Sequence, residues 1–172
     1  MTMNTTWKKT LKRGDVVAFR FPHQREGEND PKVRPTLVLD VEDRFGELFA
    51  WLAYGTTKGM PKKLRGYAIK VELDDEVKAA SLKEPTWFNS TRRLLVSLNH
   101  SGFDVNPVSG TAVLGQLTGW SADRMNDVRA RIHAERDIRR TQLHRRRRTQ
   151  PREVTVERRR KGKLLATELR HV

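Results

Sequence analysis

Short apolar segments, closely spaced along the chain, are the feature that most limits what this sequence can fold into. The clearest segment alternates strictly: Tyr67, Ile69, Val71 and Leu73 are apolar, with Ala68, Lys70 and Glu72 between them, as in a strand with one buried face. Residues 16–21 alternate in a similar way, and further strands are predicted over 48–56, 94–98 and 111–117. Residues 36–41 are apolar on both faces, which predicts a central strand. Closely spaced strands joined by short turns are typical of a small, mostly antiparallel barrel or sandwich.

Helical signals are fewer and lie mainly near the end of this sheet-forming region. Residues 74–82 have the composition of a short helix. Ser121 is a suitable N-cap, and the apolar stripe of Met125, Val128 and Ile132 predicts a helix that packs against the sheet. Pro151 should end any continuation of that helix, and residues 154–156 could form a short strand. The fold class predicted is therefore mainly β with appended α.

The positive charge is concentrated at the C-terminal end. The chain has 172 residues and a formal net charge of +14. Residues 139–172 contain 13 Lys and Arg against 3 Asp and Glu, a net charge of +10. This predicts a domain over 13–138 and a basic extension over 139–172, which is either a continuation of the helix or disordered. Such an extension attracts nucleic acid, acidic proteins or anionic membrane, and its sign alone does not choose among them.

Several classes of site and location are disfavoured. With no cysteine, the chain has neither disulfides nor thiolate metal sites, and its five histidines are scattered without ligand spacing. Neither a Walker A nor a dinucleotide-binding motif is present, so no metal and no cofactor are predicted. No apolar run has the length of a membrane span, and the first residues lack the apolar core of a signal peptide. We expect a soluble cytoplasmic protein that makes no membrane contact.

Arg34 and Thr56 are the residues best suited to chemistry. Arg34 lies at the mouth of one predicted strand, and Thr56 ends another, followed by Thr57 and Lys58. Arginine offers a permanently charged planar fork for phosphate, and a threonine hydroxyl can bind a phosphate oxygen or a ribose hydroxyl. Cleavage of RNA requires no external nucleophile, because the ribose 2′-OH can attack its own phosphate. A protein that aligns this attack and stabilises the developing charge needs no metal.

Two further residues have weaker functional interpretations. His23, in a polar loop, could transfer a proton, although a solvated surface role fits its surroundings equally well. Trp87 could stack on an unpaired base, whereas the chain's other tryptophans are predicted to lie mostly in the core. Arg34 could also be an ordinary surface arginine, and Thr56 and Thr57 could be structural.

The order and spacing of these motifs resemble the MazF/PemK toxin family. The resemblance covers about residues 13–138. It is carried by Gly14-Asp15-Val16-Val17, then a polar loop, then Arg34-Pro35 with Leu37-Val38-Leu39, and finally Thr56-Thr57 after a strand. It implies an SH3-like twisted antiparallel barrel with a C-terminal helix, here followed by a basic tail, and commonly a homodimer.

The resemblance also implies a function. Members of this family are toxins encoded beside a cognate antitoxin, and they cleave single-stranded RNA without metal, leaving a 2′,3′-cyclic phosphate and a 5′-hydroxyl. The family's catalytic arginine corresponds to Arg34 and its catalytic hydroxyl to Thr56, or to Thr57 if the register shifts by one. Where many members carry further charged residues that contact RNA, this chain has Arg92 and Arg93, which are candidate substitutes.

Three functional hypotheses follow. The first is a toxin-type endoribonuclease with a basic C-terminal extension. The second is a nucleic-acid-binding protein on the same fold that does not cleave. The third assigns the extension to docking of an acidic protein, such as a cognate antitoxin.

Overall fold

The computed structural model describes residues 6–22, 32–149, 153–160 and 163–171, and these form two compact units, Met1–Ala130 and Arg131–Val172. The elements are α1 (Thr6–Thr10), β1 (Asp15–Arg20), β2 (Val33–Arg44), β3 (Glu47–Thr56), a 3-10 helix (Lys62–Tyr67), β4 (Ala68–Val71), α2 (Asp74–Ala79), β5 (Thr86–Ser97), β6 (Val113–Gln116), α3 (Gly119–Thr149), β7 (Glu153–Arg160) and β8 (Lys163–His171). The boundary predicted from charge, between residues 138 and 139, stays a prediction.

The first unit is built on one antiparallel sheet of six strands in the order β4-β5-β3-β2-β1-β6. The sheet curls into a half-barrel, and the start of α3 follows its last strand. The prediction of a mainly β, barrel-like antiparallel fold with a C-terminal helix is confirmed at this level.

The core on one face of the sheet is aromatic and aliphatic. Phe19 packs edge-on against Phe103, with ring centroids 5.0 Å apart, and Trp7 of α1 contacts the same Phe103 ring at 5.3 Å. Val17, Val38 and Leu52 complete the centre of this cluster. Because Trp7 is buried there, α1 closes one side of the core. This helix carried no signal that we recognised in the sequence.

A tight hairpin joins β2 and β3, which pair over most of the length of β3. Its two turn residues, Phe45 and Gly46, both have positive φ (57° and 83°), which is the conformation of a type I′ turn. The Asp43 carboxylate accepts the Gly46 N–H at 2.8 Å. The sequence prediction of a five-residue turn over 42–46 was therefore too long. The strands continue to Arg44 and resume at Glu47.

Pro35 does not open its strand, as predicted, but lies inside β2 opposite Ala18 of β1. The Ala18 N–H donates to Ala112, and the Ala18 carbonyl accepts from Asp104, so neither Ala18 group is directed at Pro35. The missing proline N–H therefore removes no hydrogen bond between β1 and β2. The register of β2 with β3 ends next to this position, at Thr36 opposite Tyr54.

The helix predicted to start at an N-cap Ser121 instead begins at Gly119. The buried Glu76 carboxylate accepts the Ser121 N–H at 3.2 Å, and the Ser121 hydroxyl donates to the Thr118 carbonyl at 2.9 Å. Glu76 thus satisfies a free N–H in the first turn of α3, where the helix dipole favours a negative charge. Met125 and Val128 of the predicted apolar stripe are buried, as expected.

Two arginines attach α3 to the sheet. The Arg124 guanidinium donates to the carbonyls of Arg65, Gly66 and Ala68, and Arg129 donates to Asp40 on β2 at 2.7 Å. The Arg129 side chain is 15% exposed, so this ion pair is shielded from water more than a surface pair is.

Two strand predictions need correction. β4 runs only from Ala68 to Val71, so Tyr67 belongs to the preceding 3-10 helix and Leu73 is exposed at the start of α2. β5 begins at Thr86, eight residues before the apolar alternation that predicted it.

In the second unit, α3 ends at Thr149, before Pro151, and the predicted strand over 154–156 lies within β7, which pairs with β8.

One buried carboxylate gives a pH-dependent prediction. Asp15 is buried, and its carboxylate accepts the Lys12 N–H at 2.9 Å. Burial raises the pKa of Asp15 above its ordinary value of 3.8, although this N–H and the Lys12 charge oppose the rise. The folded state therefore binds the proton more tightly than the unfolded state. The contribution of Asp15 to the free energy of unfolding is fully present below the pKa that Asp15 has in the unfolded chain. It is lost as pH rises through the higher pKa that Asp15 has in the folded state.

We expect Asp15→Asn to gain stability relative to wild type as pH rises from about 3.5 to about 7, because the amide oxygen keeps the hydrogen bond without a buried charge. Melting temperatures across this range measure the difference. Asp127 is exposed, and Asp127→Asn is therefore the matched control. Its melting temperature should not rise relative to wild type over this pH range. A constant offset between Asp15→Asn and wild type would contradict the prediction.

Candidate functional site

The ring of Tyr54 lies at the centre of a cluster of cationic and aromatic side chains. Arg34 Cζ lies 5.6 Å from its centroid, Arg92 Cζ lies 4.0 Å from it, and the Phe21 ring packs edge-on at 5.2 Å. Three strands supply three of these residues: β2 carries Arg34, β3 carries Tyr54 and β5 carries Arg92, while Phe21 directly follows β1. Cation–π contacts of this kind hold a guanidinium in place without neutralising it.

Arg34 is partly buried in this cluster. Its Nε is shielded from solvent and has no hydrogen-bond partner among the residues that the structure describes. A buried guanidinium N–H without a partner costs free energy, and an anionic ligand would supply the missing acceptor. Arg34 therefore has the properties of an anion-binding arginine.

Arg92 differs from Arg34 because its guanidinium is already engaged. It donates to the Pro22 carbonyl at 3.1 Å and lies 5.4 Å from the Phe21 ring, in addition to Tyr54. It lines a groove of about 460 Å³ together with Phe21, Pro22, Asn89, Thr91, Arg93 and Leu94. Arg92 can still add positive charge to an anion bound there.

Arg93 lines the same groove as Arg92, but its guanidinium has other partners. It lies opposite Ala53, one residue from Tyr54 on β3, so its side chain starts on the other face of the sheet. Its guanidinium donates to the Ser90 carbonyl at 2.8 Å and lies 5.7 Å from the Trp51 ring. The structure therefore brings Arg92, but not Arg93, to the Tyr54 ring.

Thr56 lies on the same face as Tyr54 and Arg34. It is the last residue of β3, two positions after Tyr54, and continuing the register from Thr36 opposite Tyr54 places it across from Arg34. Its hydroxyl oxygen accepts the Lys58 N–H at 3.2 Å, which fixes the turn after the strand. Lys58 itself is exposed.

Thr57 has a different position. It is exposed and lines a second cleft, of about 400 Å³. The other residues of this cleft come mainly from β1, β2 and the segment after α2. The residues of this cleft include Ala18, Val33, Arg34, Leu82, Lys83 and Leu114. The strand register favours Thr56 as the hydroxyl on the face of Tyr54, whereas Thr57 shares this second cleft with Arg34.

Trp87 extends this face toward the edge of the sheet. It is paired with Thr56 on one side and with Lys70 of β4 on the other, and Lys70 Nζ lies 5.2 Å from its ring centroid.

The remaining candidate, His23, falls outside the described residues. Sequence reasoning missed Tyr54, Phe21 and Lys70. Alternation along β3 could have identified Tyr54, because it lies two residues before Thr56.

Neither a metal-ligand cluster nor a membrane-spanning helix is found among the described residues. No group of three or more His, Asp or Glu side chains there is arranged to hold a metal ion. Likewise, none of its helices is both long and apolar enough to span a membrane.

No protein-family model matches the chain, and a search of curated proteins gives no match either. The family resemblance therefore depends on the sequence motifs at residues 14–17, 34–39 and 56–57, their order and spacing, and the helix that follows the strands.

Gly55 controls the spacing of the two strands at this site. A Cβ atom there would lie 2.1 Å from the Pro35 carbonyl oxygen and 3.1 Å from the Phe88 ring. Since the first contact is with backbone, β2 would have to move away from β3 next to Arg34.

We expect Gly55→Ala to lower the free energy of unfolding by about 1–3 kcal/mol through this overpacking. Urea denaturation measures it. Gly59→Ala, where a Cβ atom meets nothing within 4 Å, is the matched control and should stay close to wild type. Equal stability of the two variants would show that the strands are not in close contact at Gly55.

Proposed function

We propose that the protein is a metal-independent endoribonuclease, the toxin component of a toxin–antitoxin system of the MazF/PemK type, with the SH3-like barrel of that family. The observation that carries this proposal is Arg34: a partly buried guanidinium whose Nε has no described partner, on the same face as the hydroxyl of Thr56. The curled antiparallel sheet with a following helix agrees with such a barrel.

The proposed reaction is attack of a ribose 2′-OH on the adjacent phosphorus. The new P–O2′ bond closes the 2′,3′-cyclic phosphate as the P–O5′ bond breaks, the 2′-OH proton passes to a base, and the leaving 5′-oxygen takes up a proton. Arg34 would hold a phosphoryl oxygen and stabilise its charge in the transition state. Thr56 would orient the ribose or a second phosphoryl oxygen. His23 or a water molecule would transfer protons.

The partners belong to the same proposal. The resemblance implies a homodimer, single-stranded RNA as substrate and a cognate antitoxin as inhibitor. Conserved pairing of this reading frame with a short neighbouring one would support the antitoxin, and the molar mass in solution tests the dimer.

A second candidate function is binding of nucleic acid without cleavage. The hydrogen bond from the Lys58 N–H to Thr56 Oγ1 favours it, since it gives Thr56 a structural role at the end of β3. RNA that is bound by the purified protein but stays intact at high protein concentration would support this alternative and contradict the endoribonuclease.

Arg34→Ala should reduce RNA cleavage in EDTA by about 100-fold or more, because a preorganised charge on the transition state is lost. Single-stranded RNAs of varied sequence serve as substrates, and analysis of the product ends tests for a 2′,3′-cyclic phosphate. Arg44→Ala is the matched control, because Arg44 lies at the other end of the same strand, where it pairs with Glu42. Equal activity of both variants would exclude Arg34 from the reaction.

Thr56→Val should reduce cleavage far more than Thr57→Val, because Thr56 lies on the face of Tyr54 and across from Arg34, whereas Thr57 only shares the second cleft with Arg34. Valine keeps the shape and strand preference of threonine, so a loss reports on the hydroxyl. Cleavage rates at saturating enzyme compare the two variants. A larger effect at Thr57 would shift the catalytic register by one residue.

A further inference from the structure

Trp87 and Lys70 form a second cation–aromatic pair beside the Tyr54 cluster. We propose that this pair is a subsite for one unpaired nucleotide of single-stranded RNA, with the base stacked on Trp87 and a neighbouring phosphate bound by Lys70. The proposal rests on the proposed function, since it adds a binding position next to Arg34 and Thr56.

The sheet register places the pair in line with the candidate catalytic residues. Thr56, Trp87 and Lys70 are direct cross-strand neighbours on β3, β5 and β4, so their side chains lie on one face. Continuing the β2–β3 register adds Arg34 to the same row. With neighbouring strands about 4.8 Å apart, the row spans about 14 Å from Arg34 to Lys70. This distance accommodates more than one nucleotide of an extended strand.

Trp87 is the aromatic ring of this face that is best placed to stack on a base. Tyr54 has the guanidinium groups of both Arg34 and Arg92 near its ring, whereas Trp87 has only the Lys70 ammonium group, 5.2 Å from its centroid. Phe21, which packs on Tyr54, is buried. Trp87 is only partly buried and lies nearer the edge of the sheet, where it meets β4.

Lys70 can exchange its present partner for a phosphate. It forms an ion pair with Glu72, and both side chains are well exposed, at 38% and 54%. An exposed pair of this kind contributes little to stability, so breaking it costs little. The Lys70 ammonium group then remains near Trp87 as a point charge for a phosphate.

The combination selects an unpaired nucleotide. A base must be unstacked from a duplex before it can cover an indole ring, so the pair favours single strands over duplexes. Stacking of this kind depends little on base identity, and the subsite would therefore add affinity with weak sequence preference.

Binding of a fluorescein-labelled 2′-deoxy oligonucleotide, which lacks the attacking hydroxyl, tests the subsite in the full chain by fluorescence anisotropy. We expect Trp87→Leu to weaken binding about 5- to 100-fold and Trp87→Phe to retain most of the affinity. Lys70→Gln should reduce the slope of log K against log salt by about 0.7, the value for one phosphate of a single strand.

Matched controls are available on the same unit. Trp120→Leu removes an indole that is 76% exposed on α3, and Lys78→Gln removes an exposed lysine on α2. Both should bind as wild type does. Wild-type affinity of Trp87→Leu, or an unchanged salt slope of Lys70→Gln, would overturn the proposal, as would equal competition by duplex. If Trp87→Leu does not fold, the exposed Lys70→Gln still decides the outcome.

The two proposals fail in different ways. The deoxy oligonucleotide cannot be cleaved, so this assay reports on the subsite whether or not the protein cuts RNA. Loss of binding in Trp87→Leu without any RNA cleavage by wild type would support the subsite and contradict the endoribonuclease. Cleavage that depends on Arg34, together with wild-type binding by Trp87→Leu, would support the endoribonuclease and contradict the subsite.

Discussion

The packing around the Tyr54 ring is the interaction on which the candidate site depends. The ring contacts Phe21 at the edge of the aromatic core and lies beside the guanidinium groups of Arg34 and Arg92. It therefore connects the apolar interior to the charged face. A cation held against an aromatic ring keeps its charge and its orientation, which is what recognition of a phosphate requires.

The close approach of β2 and β3 determines where Arg34 lies. Gly55 has no side chain, so the Pro35 carbonyl can lie almost where a Cβ atom would be. Pro35 in turn faces a part of β1 whose hydrogen bonds are directed elsewhere. These two backbone features bring the last residues of β3 next to the first residues of β2, and so bring Thr56 toward Arg34.

Much of the fold could be predicted because alternation of apolar residues depends only on one buried face. β1 and β3 were predicted with nearly their observed bounds. The prediction for β2, which rested on apolar residues on both faces, covered only residues 36–41 of Val33–Arg44. The start of β5 was missed, because Thr86 to Arg93 mixes polar and apolar residues on both faces around an irregularity in the register. Arg34 and Thr56 were found from their chemistry, whereas Tyr54 and Lys70 required the pairing of strands that are distant in sequence. The position of Ser121 inside α3 depends on Glu76, a contact over 45 residues, which local capping rules cannot anticipate.

The irregularity in β5 separates this strand into two parts that can change independently. Ala53 of β3 pairs with Arg93 of β5, but the next residue of β3, Tyr54, pairs with Asn89. The pairing register therefore jumps across residues 90–92 of β5. Leu94 and Val96 on one side pack on or against the aromatic core, and Trp87 on the other side belongs to the charged face. Insertions or deletions between residues 89 and 93 would alter the reach of Arg92 without shifting the register of the core. Length variation at this one point would therefore change the charged face while the six-stranded sheet keeps its register.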